Sequence, residues 1–455
     1  MTQPQKTVAI IGAGPVGLAA AAHALERGIK PIVLEAGPAV GHAVRQWGHV
    51  RLFSPWEYNI DRAAERLLAQ AGWNSPDPQI YPTGAELLAQ YIEPLADRTP
   101  LRSHIQTSSR VTAISRAGFN KVKTKGREQA PFEIRYQNGA GPKTIRADAV
   151  IDTSGTWSSP NPAGANGIEA IGEAAAARRT AYAMPDVLGA DRARYLGKTV
   201  AVLGSGHSAL GTLIDLVSLK GDAPQTKAIW LLRGDNPEKS FGGGANDKLA
   251  ARGELGSIFA SLVAGGQVQI ESGFPVSRID LDGERLRISA GSNGSGREIV
   301  ADQLVVATGF RPDFSFLREL RLALDPALEC ALALAPLIDP NEHSCGTVRP
   351  HGARELAQPE PGLYIAGMKA YGRAPTFLML TGYEQVRSIV ADIAGDREAA
   401  ERVELVLPET GVCNVSGGGA EAAGCCGGAP AQDTTACCAA DEKAKAATGK
   451  GCGCG

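Results

Sequence analysis

The sequence predicts an α/β fold with two Rossmann-like domains, one inserted into the other, followed by a disordered cysteine-rich tail. Two similar segments support this prediction. Each has an apolar strand, a glycine-rich turn and a helix, and they begin near residues 6 and 198. Strand-rich sequence follows each unit. The predicted limits are 1–155 with 305–407 for the first domain, 156–304 for the inserted domain and 408–455 for the tail.

Length and composition are those of an ordinary globular protein. The 455 residues are 44% hydrophobic and 21% charged, and the formal net charge is −2. This balance provides no basic surface for nucleic acid. No stretch of sequence reaches the roughly 18 apolar residues that a membrane span needs. We therefore expect a cytoplasmic protein whose partners are neither nucleic acids nor membranes.

The first glycine-rich turn is G-A-G-P-V-G at residues 12–17, between a strand and a helix. Gly12 permits the tight turn, Gly14 lets a pyrophosphate approach the backbone, and Gly17 lets helix and strand pack closely. Glu35 ends the second strand, where a carboxylate can accept hydrogen bonds from a ribose. The predicted contacts of a first dinucleotide are therefore Gly12, Gly14, Pro15, Gly17 and Glu35.

The second turn is G-S-G-H-S-A at residues 204–209, and the looser form of the pattern allows its final alanine. Arg233 follows the next strand and can bind a 2′-phosphate, which favours NADPH, whereas Asp235 could instead serve NADH. Two dinucleotide sites in one chain indicate hydride transfer from nicotinamide to flavin, so FAD and NADPH are the predicted cofactors. The predicted contacts at this turn are Gly204, Gly206, His207, Ser208 and Arg233.

Four motifs together resemble those of the flavin-containing monooxygenases and of the wider superfamily of flavoproteins with two dinucleotide-binding domains. Besides the two turns, they are D-T-S-G-T-W-S-S-P-N at 152–161 and A-T-G-F-R-P-D at 307–313. The similarity covers residues 6 to about 395. It implies that FAD occupies the first turn and NADPH the second, and that the chain crosses between domains at 155–161 and 307–310. Further cofactor contacts are expected at Trp157, Gly309 and Gly367.

The cysteine-rich tail extends this resemblance to the flavin monooxygenases of bacterial arsenic resistance. Resemblance to these enzymes implies that the substrate is a trivalent arsenical or antimonial, which is oxidised to the pentavalent form. NADPH would be the reductant and molecular oxygen the co-substrate. We accordingly expect a small-molecule or metalloid substrate, and a homodimer as one assembly state.

Three departures from the wider superfamily leave other functions open. Residues 178–197 lack the Phe-x-Gly and His of the class B monooxygenase fingerprint. Neither 36–50 nor 204–213 holds the cysteine pair of the disulfide reductases, which excludes a reductase mechanism with a resident disulfide. Gly367 is followed by Met368 and Lys369 instead of the acid that often follows this glycine. One alternative is an NADPH-dependent reductase of thiols, disulfides or metal ions that uses the tail cysteines as a shuttle. Another is a redox-sensing or metal-buffering protein.

Basic and aromatic residues cluster between positions 45 and 56 and could enclose a flavin ring or stabilise its reduced anion. The alternative is that the tryptophans belong to the core and that the arginines are solvated. No Ser/His/Asp or paired-carboxylate arrangement stands out, so no catalytic side chain is predicted. The candidates are Arg45, Trp47, His49, Arg51 and Trp56, of which Arg45 and Trp47 are predicted cofactor contacts.

Seven of the nine cysteines lie in the tail. Thiolates are soft ligands, and an adjacent pair with a third thiolate suits a three-coordinate metalloid. Adventitious metal binding and a thiol shuttle are the alternatives. The predicted metal or metalloid ligands are Cys413, Cys425, Cys426, Cys437, Cys438, Cys452 and Cys454.

Overall fold

A computed structural model describes residues 5–242, 250–291, 296–341, 350–374 and 377–405. Within these ranges the chain forms two five-stranded parallel sheets, two three-stranded antiparallel sheets and twelve α-helices. The predicted α/β class with two Rossmann-like units is confirmed. The predicted tail, residues 408–455, lies outside the described residues.

The strands of the described ranges are given in chain order. They are β1 Thr7–Ile11, β2 Lys30–Leu34, β3 Ile105–Gln106, β4 Arg110–Arg116, β5 Phe132–Asn138, β6 Gly141–Ala147, β7 Ala149–Asp152, β8 Thr180–Tyr182, β9 Thr199–Leu203, β10 Lys227–Leu231, β11 Gln269–Glu271, β12 Val276–Asp282, β13 Arg285–Ala290, β14 Glu298–Ala301, β15 Gln303–Val306 and β16 Leu363–Ile365.

The α-helices connect these strands or cover their faces. They are α1 Pro15–Glu26, α2 His42–Gln46, α3 Arg62–Gln70, α4 Gly84–Leu87, α5 Glu93–Arg98, α6 Arg192–Tyr195, α7 His207–Ser218, α8 Ala250–Ala264, α9 Ala335–Ile338, α10 Ala353–Leu356, α11 Met379–Ala394 and α12 Arg397–Glu401.

The first parallel sheet has the order β16-β7-β1-β2-β3, with β1 at its centre. Helix α1 begins at Pro15, whose fixed φ and missing N–H suit the first helical position. Its alanines Ala19–Ala22 are fully buried because the helix packs between the sheet and helices α3 and α11. Small side chains are needed at these positions because both sides of the helix are covered.

The second parallel sheet has the order β11-β10-β9-β15-β8. Strand β9 is buried from Val200 to Leu203, and Trp230 of β10 packs edge-on against Phe259 of α8. Because β15 pairs with β9 and β8, Val305 and Val306 belong to this sheet. The predicted limit between residues 304 and 305 falls inside β15, so we propose that the inserted domain ends after Val306.

Each parallel sheet carries an antiparallel meander, β4-β5-β6 in the first domain and β12-β13-β14 in the second. Strands β6 and β7 are adjacent in the sequence but belong to different sheets. Asp148 separates them, and its carboxylate accepts hydrogen bonds from the Thr7 backbone N–H (2.7 Å) and hydroxyl (2.9 Å). These hydrogen bonds fix Asp148 to the start of β1, where the chain passes from the meander into the parallel sheet.

Two antiparallel segments connect the parallel sheets. The Asn161 N–H donates to the Gly309 carbonyl (2.9 Å), and the Arg311 N–H donates to the Ser159 carbonyl (3.0 Å). Trp157 stacks on Phe310 with ring centroids 4.9 Å apart. We call residues 153–161 the first crossing and 307–316 the second crossing. No helix in the described part of the chain is long and apolar enough to cross a membrane.

Candidate dinucleotide and redox site

One cleft of ≈ 2030 Å³ contains both glycine-rich turns. The turns follow β1 and β9, so they lie at the carboxyl ends of the two parallel sheets, where ligands of open α/β sheets bind. The predicted contacts that line this cleft are Gly12, Gly14, Pro15, Glu35, Trp47, Trp157, Gly204, Gly206, His207, Ser208, Arg233, Gly309 and Gly367.

The first turn has the geometry that a pyrophosphate requires. Gly12 has φ +101°, a conformation that glycine adopts readily. Gly14 caps α1, and no atom lies within 4 Å of the position that a Cβ would take there. A Cβ at Gly17 would overlap the carbonyl oxygen of Gly12, so Gly17 supports the turn from below and does not line the cleft. The backbone above α1 is therefore open to a phosphate group.

Glu35 is fixed beside this turn by two backbone donors. Its Oε2 accepts from the Ala13 N–H and its Oε1 from the Gly37 N–H, both at 2.7 Å. A carboxylate offers about four acceptor sites. The Glu35 carboxylate can therefore still accept hydrogen bonds from ribose hydroxyls, as the sequence predicts.

The second turn repeats this construction. Gly204 has φ +138°, and a Cβ there would overlap the carbonyl oxygen of Ala307 in the second crossing. The Trp230 indole N–H donates to the Gly204 carbonyl (2.7 Å), which fixes the turn to β10. Gly206 caps α7 and has open space where a Cβ would lie. This turn can also accept a phosphate at a helix N-terminus.

The cleft beyond β10 is cationic. Arg233 lines it, and its Nη1 donates to the Ala165 carbonyl (3.1 Å). Lys239 and Arg252, which the sequence analysis did not identify, also line the cleft. Asp235 is not among the lining residues, because its carboxylate lies against Gly273. The geometry therefore favours a 2′-phosphate over a free ribose at this end.

Three candidates from the 45–56 cluster do not reach the cleft. Helix α2 turns Arg45 outwards, where its Nη2 pairs with Glu93 Oε1 at 2.8 Å. Trp56 is 2% exposed and belongs to the core of the first domain, and His49 does not line the cleft. Trp47 and Arg51 do line it. The structure therefore supports a contact role for part of the cluster only.

Two aromatic contacts join the domains across the cleft. Phe53, from the first domain, packs against the His207 ring with centroids 5.2 Å apart. The Trp157 indole N–H donates to Gln46 Oε1 (2.8 Å) while its ring stacks on Phe310. Phe53 therefore links the first domain to the second turn, and Trp157 links the first crossing to helix α2 and to the second crossing.

The sequence analysis noted Lys369 only as a departure from the expected acid. The structure places its ammonium group in a buried ion pair, with Nζ 2.7 Å from Asp152 Oδ2. Gly367 has φ +72°, and its N–H donates to Gln385 Oε1 of α11 (2.7 Å). The loop after β16 is therefore held by Asp152 of β7 through Lys369 and by Gln385 of α11 through Gly367.

Charge in the cleft complements two dinucleotides. Positive side chains outnumber carboxylates among its described lining residues, although the whole chain has a net charge of −2. The residues present fit FAD at the first turn and NADPH at the second. The cations are Arg51, Arg110, Arg233, Lys239, Arg252, Lys369 and Arg373, and the carboxylates are Glu35 and Asp313.

Cys330 is the one cysteine in the described part of the chain. It is fully buried and does not line the cleft. Burial, together with the nearby Asp325 carboxylate, raises the pKa of its thiol to about 12. The described residues contain no group of three or more His, Cys, Asp or Glu side chains that could hold a metal. The predicted metal ligands, Cys413 to Cys454, lie outside these residues.

A family model described as pyridine nucleotide-disulphide oxidoreductase matches residues 9–333. No curated protein matches the sequence. This family agrees with the prediction of an oxidoreductase and with FAD and NADPH as its cofactors.

Solved structures with similar folds include both reductases and monooxygenases. Bacillithiol disulfide reductase from Bacillus cereus is 20% identical, with a TM-score of 0.63 over 86% of this chain and 99% of that chain. The FAD-bound cadaverine monooxygenase of desferrioxamine biosynthesis from Erwinia amylovora is 15% identical, with a TM-score of 0.59 over 90% and 100%. A flavin-containing monooxygenase from Stenotrophomonas maltophilia is 20% identical, with a TM-score of 0.52 over 86% and 99%. At these identities the comparison establishes the fold.

Proposed function

Because the chain belongs to the pyridine nucleotide-disulphide oxidoreductase family, we propose that it is an FAD- and NADPH-dependent monooxygenase. Its proposed substrate is a soft nucleophile such as a trivalent arsenical or antimonial. The observation that carries this proposal is a single cleft that joins both dinucleotide turns and has no cysteine among its described lining residues. A disulfide reductase of the usual type needs a pair of cysteines beside the flavin. Residues 36–50 and 204–213 contain no such pair.

The protein's own residues bind and orient the two cofactors. The first turn and Glu35 would hold the FAD pyrophosphate and ribose, and the second turn with Arg233 would hold NADPH. Phe53 packs against the His207 ring, and Trp157 donates to Gln46, so both would hold the second turn or the first crossing close to the first domain. Bound flavin supplies the redox chemistry, and the role of these residues is to hold nicotinamide and flavin at the distance that hydride transfer requires.

The proposed reaction balances with one NADPH and one dioxygen. NADPH and a proton supply two electrons and two protons; one oxygen atom joins the substrate lone pair and the other leaves as water. A trivalent arsenical thereby becomes pentavalent. Methylarsenite or arsenite should stimulate NADPH consumption in air, and isotopically labelled dioxygen should place its label in the product. If neither substrate stimulates consumption, the arsenical assignment is wrong.

The alternative is an NADPH-dependent reductase of disulfides or metal ions that uses the tail cysteines as a shuttle, and the family description favours it. Oxygen separates the two functions. A monooxygenase turns over only when oxygen is present, whereas a reductase works at least as fast under anaerobic conditions. A disulfide substrate reduced without oxygen would replace the monooxygenase proposal by the reductase.

Replacing Arg233 with Gln should raise the KM for NADPH about 10- to 100-fold, the equivalent of one hydrogen bond to a charged group. The KM for NADH should change little, because NADH has no 2′-phosphate. Asp235→Asn is the matched control, since this carboxylate lies against Gly273 outside the cleft. Steady-state assays with both nucleotides test the prediction. An equal loss with NADPH and NADH would contradict it.

Deleting residues 409–455 tests whether the tail delivers the substrate. If the tail thiols carry a soft metalloid to the cleft, the deletion should raise the KM for that substrate and leave kcat intact. A chain with the seven tail cysteines changed to Ser keeps the tail length and serves as the matched control. Unchanged kinetics in both variants would show that the tail does not deliver the substrate. The cytoplasmic location and the homodimer stay predictions.

A further inference from the structure

Lys369 is a buried cation of the cleft that neither dinucleotide turn uses. It lies in the 3₁₀ helix Gly367–Tyr371 after β16, and its side chain is 1% exposed. Its Nζ lies 2.7 Å from Asp152 Oδ2 and donates to Ser154 Oγ at 3.0 Å. The contact with Asp152 Oδ2 is an ion pair between two buried charges. A buried ammonium group needs such partners because its desolvation is costly.

On one side, Lys369 fixes the start of the first crossing. Asp152 ends β7, and its Oδ1 accepts from the Ser154 N–H (3.0 Å) and hydroxyl (2.7 Å). Ser154 in turn lies against Gly12, where an added Cβ would come within 3.1 Å of the Ser154 Cα. The ammonium, carboxylate and hydroxyl groups therefore hold the first crossing against the FAD turn.

On the other side, Lys369 contacts the end of the second crossing. Its Nζ lies 5.0 Å from the ring centroid of Phe314 and 4.5 Å from that of Phe316. Both distances are within the range of cation–π attraction, which is strongest where water is excluded. A single ammonium group thus touches both segments through which the two domains are joined.

We propose that Lys369 is a positioning residue that fixes the two crossings relative to the FAD-type domain. It thereby sets the orientation in which the inserted domain presents its dinucleotide to the flavin. The two crossings are bonded to each other at Ser159–Asn161 and Gly309–Arg311, so a displacement of one moves the other. The expected effect on the rate of flavin reduction by NADPH rests on the proposed function.

The test compares Lys369→Met with the double variant Asp152→Asn/Lys369→Met. The single variant leaves a buried carboxylate without its cation and should lower the melting temperature. The double variant removes both charges and should melt within about 2 °C of the wild type. If Lys369 positions the crossings, the double variant should still reduce its flavin about 10- to 100-fold more slowly than the wild type at saturating NADPH.

Amide hydrogen exchange of the apoprotein gives a readout that needs no cofactor. The crossings, residues 153–161 and 307–316, should exchange about tenfold faster in the double variant, while the amides of β9 and β10 stay protected. A double variant with wild-type stability, reduction rate and exchange would show that Lys369 is only half of a structural ion pair, and would overturn the inference. If NADPH does not reduce wild-type flavin, the proposed function fails, and the exchange measurement still decides the role of Lys369.

Discussion

Replacing Glu360 with Gln should lower the free energy of unfolding by about 3–5 kcal/mol at neutral pH, because it leaves two buried guanidinium groups without a counter-charge. Glu360 Oε1 accepts from Arg116 Nε (2.8 Å), and its Oε2 accepts from Arg127 Nη2 (2.7 Å) and from the Arg321 N–H (3.3 Å). The side chains of Arg116, Arg127 and Glu360 are 3%, 1% and 1% exposed. The carboxylate joins β4, the loop before β5 and the segment that follows the second crossing.

The effect of this substitution should depend on pH. Burial alone would raise the pKa of Glu360, but hydrogen bonds from Arg127 and Arg116 hold this pKa below its usual value. A carboxyl group with a lowered folded-state pKa stabilises the fold above the unfolded-state pKa and loses that contribution as the pH falls. The difference between wild type and variant should therefore be largest near pH 7 and should shrink below about pH 4.3.

Urea unfolding followed by tryptophan fluorescence at pH 7 and at acid pH measures this difference. Glu284→Gln is the control, since Glu284 pairs with Arg179 at the surface with 93% of its side chain exposed. The control should unfold at the wild-type midpoint, because exposed ion pairs contribute little. If Glu360→Gln also unfolds at that midpoint at pH 7, the buried cluster does not stabilise the fold as argued.

Two alanine substitutions in the first turn should also have large effects. One should weaken FAD binding, and the other should destabilise the apoprotein. Gly14→Ala adds a methyl group in open space at φ −79°, so the apoprotein should fold normally. The methyl group would occupy the path of the pyrophosphate, and the Kd for FAD should rise at least about 100-fold. Gly17→Ala places its Cβ on the Gly12 carbonyl oxygen, so the apoprotein itself should lose about 2 kcal/mol or more.

Thermal melting of the apoproteins and titration with FAD, followed by quenching of flavin fluorescence, separate the two cases. Normal melting with lost FAD affinity for Gly14→Ala, and early melting for Gly17→Ala, would agree with the geometry. Wild-type FAD affinity in Gly14→Ala would mean that the pyrophosphate does not pass over this residue.

The two glycine-rich turns could be predicted because each is encoded within one continuous strand–turn–helix segment. Gly12, Gly14 and Gly204 have the turn geometries or open space that their positions in the pattern indicate. Glu35 likewise lies directly after β2, close to the position that its spacing from the turn predicts. Local periodicity and glycine placement suffice for such features because the neighbours that determine them are close in sequence.

Features that depend on distant partners could not be predicted in this way. Lys369 and Ser154 are 215 residues apart in the sequence, so their contact has no local pattern. Arg45 was predicted to bind a cofactor, but helix α2 buries only Val44 and directs this arginine towards Glu93. Arg252 lies on α8, a helix with no clear polar and apolar face that the sequence analysis did not identify. The cysteines that the sequence analysis predicts as metal or metalloid ligands lie outside the described residues.

The order of the first parallel sheet has a consequence for how the chain folds during synthesis. Strands β1, β2, β3 and β7 leave the ribosome before the inserted domain, whereas β16 follows all of it. The second parallel sheet is therefore complete while β7 is still an open edge without β16 or α11. Unpaired edges favour wrong association. The inserted domain thus delays the closure of the first sheet, and a nascent chain is exposed to misassembly until residues 363–394 emerge.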